Sequence, residues 1–186
     1  MTPPDWKTCD EGELWRFVAW HLEGAGIPTV LVGGAVVAIY SEGLYRSGDL
    51  DMVLDRHRRP DVTAALKEIG FVPGKSRYFK HPECEHLYLE FPPGPVELGE
   101  EHPVFPAEIP VEGRILHLLS PTDCVKDRLA AYIHWQLQAN FRQAVLVAKR
   151  QKDRIDFKNL AAWCDREGGT GAYQELLVEL SKTEFP

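Results

Sequence analysis

The chain has 186 residues, of which 44% are hydrophobic and 26% are charged, and its formal net charge at pH 7 is -7. This composition is typical of an ordinary soluble globular protein with one domain, or with one domain and a helical appendage. The acidic balance argues against nucleic-acid binding over the whole surface, so any contact with nucleic acid or nucleotide would have to be local.

Hydrophobic spacing and capping residues predict alternating helices and strands in the first part of the chain. Asp10 can cap a helix, with Glu13 three residues later as its partner in a capping box. Pro60 opens a later helix at its first turn, and Gly70 closes it. The predicted elements are a helix over 10–22, a strand over 28–32, a helix over 35–44, a strand over 49–55 and a helix over 60–69.

The second part of the chain predicts a hairpin, one more strand and then only helices. Ser120 as cap, Pro121 at the first helical position and Asp123 at the third form a helix start. The predicted elements are a hairpin within 77–91 with its second strand over 86–91, a loop or edge segment over 92–110, a strand over 114–118, and helices over roughly 121–139, 141–151, 153–166 and 171–182. We therefore expect an α+β fold, with a small mixed sheet and flanking helices over 1–119 and a helical region over 120–186 packed on it.

Two aspartates lie one residue apart in the predicted strand over 49–55. Residues two apart on a strand point to the same face, so the carboxylates of Asp49 and Asp51 lie side by side and repel each other. A divalent cation such as Mg²⁺ relieves that repulsion, because it prefers oxygen ligands. The alternative is an exposed edge strand whose acids are merely solvated.

Gly33 and Gly34 occupy the predicted turn between the first strand and the following helix. Without a Cβ, this turn lets a phosphate approach backbone N–H groups at the start of a helix. Glycine also serves simple tight packing at such turns, but an acid pair on the next strand makes the phosphate interpretation more specific.

The segment LVGGAVVAIYSEGLYRSGDLDMVL resembles the signature of the nucleotidyltransferase superfamily, whose members include polymerase β and kanamycin nucleotidyltransferase. That signature is an apolar strand, two small residues, a helix, and an acid-x-acid pair on the next strand. The part RSGDLD is similar to the bacterial branch that contains abortive-infection-type toxins and minimal nucleotidyltransferases. Ser47 stands where that branch usually has threonine, which preserves the hydroxyl group.

The resemblance implies a nucleotidyltransferase-like fold that transfers a nucleoside monophosphate from an NTP to an acceptor. Gly33, Gly34 and Ser47 would face the triphosphate, and Asp49 and Asp51 would hold Mg²⁺ or Mn²⁺. The acceptor (an RNA such as tRNA, a protein or a small molecule), the oligomeric state and a role as a toxin or regulator stay open. A degenerate member of the same fold, which binds a nucleotide or a partner without catalysis, is the alternative.

Related enzymes carry a third catalytic and metal-binding carboxylate on a later strand. Glu90 is the best candidate for it, because it lies between Leu89 and Phe91, which we expect to point into the core. Glu90 could equally be an outward-facing residue of an alternating strand. Glu97 is the second candidate, although its proline-rich surroundings make a strand position less favourable.

The resemblance also places Lys126 on a helix from which a lysine can reach the nucleotide phosphates. The alternative for Lys126 is a solvated residue beside the apolar stripe of that helix. Basic residues between 142 and 158 could steer a nucleic-acid acceptor, although such a run is more often a solvated helix face.

One group of histidine and cysteine residues could bind zinc. His81, Cys84 and His86 lie within six residues, but no fourth ligand follows at a normal spacing, so the sequence does not favour a structural zinc site.

The four cysteines form no CxxC pair, the N-terminal stretch lacks the regions of a signal peptide, and no apolar run approaches the ~20 residues of a membrane span. We therefore expect a cytoplasmic protein with no membrane partner.

Overall fold

The computed structural model describes residues 1–54, 59–75, 77–101 and 103–182. Asp55, the last residue of the predicted strand over 49–55, lies outside the described residues, as does His102 in the predicted loop. The elements in chain order are α1 (Glu11–Gly24), β1 (Thr29–Val32), α2 (Gly33–Tyr40), β2 (Asp49–Leu54), α3 (Arg59–Glu68), β3 (Val72–Pro73), β4 (Tyr78–His81), β5 (Cys84–Glu90), β6 (Ala107–Val111), β7 (Arg114–Leu118), α4 (Pro121–Trp135), α5 (Gln138–Arg150), α6 (Phe157–Arg166) and α7 (Thr170–Ser181).

Within the described residues, the strands form one mixed sheet in the order β3-β4-β5-β2-β1-β7-β6. Strand β2 lies at its centre, antiparallel to β1 and parallel to β5. The predicted α+β class, with a small mixed sheet and flanking helices, is therefore confirmed. This order places β2 and β5 side by side, although α3, β3 and β4 lie between them in the sequence.

Period-two alternation on β2 divides its residues between a core face and a polar face. Leu50 and Met52 are fully buried, whereas Asp49 and Asp51 are half-buried on the other face. Helix α1 packs across β1, β2 and β7 and contributes Leu14 to the same core as Leu50. The apolar residues of β2 thus anchor the strand, which leaves its acids on the polar face.

The starts of α1 and α4 follow the sequence signals closely. The Asp10 side chain accepts a hydrogen bond from the Glu13 N–H at 2.8 Å, and Glu13 accepts one from the Asp10 N–H at 3.0 Å. At the start of α4, the Ser120 hydroxyl accepts a hydrogen bond from the Asp123 N–H. Both caps satisfy N–H groups that a helix end leaves without partners.

The predicted helix over 121–139 is wrong in its length. Helix α4 ends at Trp135, and Gln136 adopts a left-handed conformation with a φ of 56° before α5 begins at Gln138. Glycine usually marks such a left-handed end, and its absence here concealed the break. The predicted helix over 35–44 also differs, since α2 ends at Tyr40.

The described residues of the segment over 92–110, predicted as loop or edge structure, form a loop that leads into the edge strand β6. The Leu98 carbonyl oxygen accepts a hydrogen bond from the indole of Trp163, at 3.0 Å, so this loop is tied to α6. Helices α4 and α5 both contact α2. None of the helices in the described ranges combines the length and apolarity that crossing a membrane would require.

Candidate active site

Three carboxylates meet on the polar face at the centre of the sheet. Asp49 and Asp51 come from β2, and Glu90 lies directly opposite Asp51 on the parallel strand β5. One carboxylate oxygen from each residue lies within 4.8 Å of the other two. Oxygen ligands at this spacing can share a divalent cation, which fits the preference of Mg²⁺ and Mn²⁺ for hard donors.

The close approach of these acids changes the protonation of Asp51. Burial raises the pKa of Asp51 to about 6, and the charges of Asp49 and Glu90 contribute to the rise. Glu90 is almost fully buried and forms an ion pair with the more exposed Arg77. At neutral pH the cluster therefore holds repelling negative charges that a cation would stabilise.

The two glycines allow the start of α2 to touch the acids. Gly33 has a φ of +73°, and a Cβ built on it would lie 2.5 Å from Asp51 Oδ2. A Cβ on Gly34 would lie 2.7 Å from Ser47 Oγ. Helix α2 begins at Gly33 itself, two residues earlier than expected, and among the described residues no side chain caps this end.

Ser47 links the glycines to the acid pair. Its hydroxyl donates a hydrogen bond to Asp49 Oδ1 at 3.0 Å. Its backbone N–H donates to Glu11 Oε1 at 2.6 Å, and Glu11 also lies 3.5 Å from the Arg46 guanidinium. Glu11 is a buried residue in the first turn of α1, so it fixes the segment that leads into β2.

Lys126 is buried in an ion-pair network, so its interpretation as a solvated lysine is wrong. Its side chain is 2% exposed, and Nζ lies 2.9 Å from Glu101 Oε2 and 3.0 Å from Asp123 Oδ1. These contacts join α4 to the loop before β6. The structure therefore gives Lys126 two acidic partners, neither of which belongs to the carboxylate cluster.

Arg128, two residues further along α4, is a second cation that acts on the acid cluster, through Asp51. Its positive charge lowers the pKa of Asp51, opposing the effects of burial and of the neighbouring acids. The guanidinium donates hydrogen bonds to Asp127 Oδ2 and to Gln143 Oε1, which fix its position. Sequence reasoning missed Arg128 because the expected cation on this helix was a lysine.

Glu97, the second candidate for the third acid, lies elsewhere. It is exposed and lines a separate cavity together with Val53 and His117. The carboxylate cluster of the described residues contains Glu90 and not Glu97.

No known family model and no curated protein sequence matches the chain. Among solved structures, it is similar to an antigenic nucleotidyltransferase-like protein from Paracoccidioides brasiliensis, with 14% identity, coverage of 89% of this chain and 92% of the other, and a TM-score of 0.59. It is also similar to ANT(2'')-Ia in complex with adenylyl-2''-tobramycin, with 12% identity, coverage of 87% and 95%, and a TM-score of 0.52. The chain has a nucleotidyltransferase fold.

A cavity of about 670 Å³ opens beside Asp49 in this nucleotidyltransferase fold. Tyr78 and Tyr88 line it with ring centroids 6.4 Å apart, and Lys75 and Lys80 add positive charge. The charge of Glu90 raises the pKa of Tyr78, which places that phenol near the acid cluster. The volume is within the ~300–1,000 Å³ of small-molecule sites.

We predict that Gly33→Ala destabilises the protein by clearly more than Gly26→Ala does. Both glycines have a φ of +73°, but a Cβ on Gly26 would meet nothing within 4 Å, whereas one on Gly33 would clash with Asp51. Gly26→Ala should therefore lose about 1–2 kcal/mol of unfolding free energy, from backbone conformation alone. Urea unfolding of the two variants measures the difference, and equal losses would contradict the close packing of Gly33 on Asp51.

We also predict that Asp51→Asn stabilises the metal-free protein near pH 7.5 and not near pH 4. Because the pKa of folded Asp51 is about 6 rather than the ordinary 3.8, protonation favours the folded state. That stability is fully present below about pH 4 and is lost as the pH rises through about 6.

The expected gain at pH 7.5 is about 1–2 kcal/mol, since solvent screens part of the interaction of this half-buried carboxylate. The measurement is urea unfolding of wild-type and variant protein at both pH values in a chelator. A stability difference that does not change with pH would refute the raised pKa.

Proposed function

We propose that the protein is a nucleotidyltransferase that uses Mg²⁺ or Mn²⁺ to transfer a nucleoside monophosphate from an NTP to an acceptor. The observation that carries this proposal is the convergence of Asp49, Asp51 and Glu90 within 4.8 Å. Solvation of two acids on an edge strand does not account for it, because β2 is central and the third acid comes from another strand. The all-oxygen donor set suits hard divalent cations.

The carboxylates have separate tasks in this proposal. When bound, the cation supplies charge stabilisation for the phosphoryl group that is transferred. Asp49 and Asp51 would hold the cation, and the Ser47 hydroxyl orients Asp49 through its hydrogen bond. Glu90 accepts the proton of the acceptor hydroxyl or completes a second cation site.

The start of α2 is the proposed contact for the triphosphate. The backbone N–H groups of Gly33 and Gly34 lie in the first turn of this helix, where the helix dipole favours negative charge. Ser47 Oγ lies against Gly34 and adds a hydroxyl group beside these N–H groups. Arg128 supplies the positive charge that we first expected from Lys126, since Lys126 could reach a phosphate only by leaving Glu101 and Asp123.

The cavity beside Asp49 is the proposed place for a ring-bearing part of the nucleotide or acceptor. Tyr78 and Tyr88 offer faces for stacking, and Lys75 and Lys80 attract anionic groups. The similar ANT(2'')-Ia was solved with an adenylylated tobramycin. In this chain the two lysines disfavour a polycationic acceptor, so RNA, including tRNA, or an anionic small molecule fits this cavity better.

One observation favours the alternative of a catalytically degenerate binding module. Glu90 is paired with Arg77 in the described structure, and a paired carboxylate is a weaker base and metal ligand. Arg77 is 64% exposed, so little packing holds it there when a cation competes for Glu90. The nucleotidyltransferase proposal therefore requires Arg77 to leave Glu90 when the metal binds.

We predict that Glu90→Gln lowers nucleotidyl transfer by at least ~100-fold while NTP binding stays within a few-fold of wild type. Asp49→Asn should weaken Mg²⁺-dependent NTP binding as well, because it removes a ligand of the nucleotide-bound cation. NTP titrations by calorimetry and transfer assays with labelled NTPs and cell lysate measure both effects.

Glu97→Gln is the matched control, since it makes the same chemical change outside the cluster and should keep wild-type transfer. Wild-type activity in Glu90→Gln together with a loss in Glu97→Gln would reverse the assignment of the third acid. Tight NTP binding with no transfer in any assay would support the binding-module alternative.

A further inference from the structure

A second group of metal-ligating side chains lies outside the carboxylate site. Cys9, Cys84 and His86 each place a ligand atom within 4.8 Å of the other two. His86 precedes Glu90 by four residues on β5, which is about 13 Å along a strand. This cysteine–histidine cluster is therefore distinct from the three carboxylates.

The cluster joins the N-terminal segment to the sheet. Cys84 and His86 are two residues apart on β5, so their side chains share a face of that strand. Cys9 directly precedes the capping residue Asp10, and its N–H donates a hydrogen bond to the Asp5 carbonyl at 2.8 Å. Both sulfur atoms belong to buried residues, whereas His86 is exposed.

The histidine ring is oriented as a metal ligand. His86 Nε2 lies 2.9 Å from the Cys9 carbonyl oxygen, which can only accept a hydrogen bond, so Nε2 carries the hydrogen. The unprotonated Nδ1 is then the atom that lies 3.9 Å from Cys84 Sγ. A hydrogen bond from one ring nitrogen to a carbonyl, with the other nitrogen free, is the usual arrangement around metal-bound histidine.

We propose that Cys9, Cys84 and His86 bind Zn²⁺ through their two Sγ atoms and Nδ1, with a water molecule as fourth ligand. Two thiolates and an imidazole are the donors that Zn²⁺ prefers, and they discriminate against Mg²⁺. Binding releases the two thiol protons to solvent, which leaves a neutral complex of one Zn²⁺ and two thiolates. Tetrahedral bonds of about 2.3 Å to sulfur and 2.0–2.1 Å to nitrogen place the ligand atoms about 3.5–3.8 Å apart. The three ligand atoms now lie within 4.8 Å of one another, so the side chains have to close in by at most about 1 Å.

The ligands of this site differ from the residues His81, Cys84 and His86, for which the sequence did not favour zinc binding. His81 lies outside the cluster, because its ring stacks on Trp6 with centroids 3.9 Å apart. Cys9, which is 75 positions before Cys84 in the numbering, takes its place. A Zn²⁺ ion here would fasten the start of α1, which carries Glu11, to β5.

The test is a Co²⁺ titration of the full-length chain, reduced and freed of metal with a chelator. We expect one equivalent of Co²⁺ to produce a thiolate-to-cobalt absorption band that Zn²⁺ abolishes. Cys84→Ser and His86→Gln, of which the second changes an exposed residue, should each weaken Co²⁺ binding strongly. The loss should exceed the ~10–100-fold that follows when only a hydrogen-bond partner of a metal ligand is removed. His81→Gln and Glu90→Gln are the controls and should keep the band.

Thermal unfolding gives a second measurement that does not depend on enzymatic activity. Zn²⁺ should raise the Tm of wild-type protein and of Glu90→Gln by clearly more than that of His86→Gln, which keeps only the carboxylate cluster as a cation site. A reduced wild-type protein with four free thiols and no cobalt band would overturn the proposal. So would a band that survives in both ligand variants, or a Cys9–Cys84 disulfide in a protein that binds no Co²⁺ after reduction.

Discussion

Repulsion among the carboxylates of Asp49, Asp51 and Glu90 is the constraint on which the rest of the structure depends. The register of the two central parallel strands brings these acids within 4.8 Å of one another, and burial raises the pKa of Asp51 to about 6. Holding them together costs folding free energy, which the apolar face of the same strands offsets through residues such as Leu50 and Leu89. The sheet thus holds three acidic side chains close together, in an arrangement that a divalent cation would stabilise.

Contacts from distant parts of the chain keep this arrangement in place. Glu11 on α1 fixes the backbone of Ser47, whose hydroxyl in turn orients Asp49. Gly33 leaves room for the Asp51 carboxylate. Lys126 joins α4 to Glu101, so the same helix that carries Arg128 is anchored to the loop before β6. The elements around the acids therefore serve mainly to hold the acidic side chains and Arg128 in position.

The sequence was most informative where a local spacing determines geometry. Period-two alternation placed Asp49 and Asp51 on one face, and the flanking apolar residues singled out Glu90. It could not show that Glu11 contacts Ser47, because 36 positions separate them and only the tertiary fold joins them. It also failed where the usual marker was absent, as at Gln136, and it could not show the ion pairs that bury Lys126.

The most direct test of the central claim is which phosphate of the NTP reaches the acceptor. The protein would be incubated with Mg²⁺ and cell lysate, in parallel with NTPs labelled at the α-phosphate or at the γ-phosphate. Nucleotidyl transfer predicts a labelled product only from the α-label, with release of pyrophosphate, and no product from Asp49→Asn. A product labelled from the γ-phosphate, or α-labelling that persists in Asp49→Asn, would contradict the account.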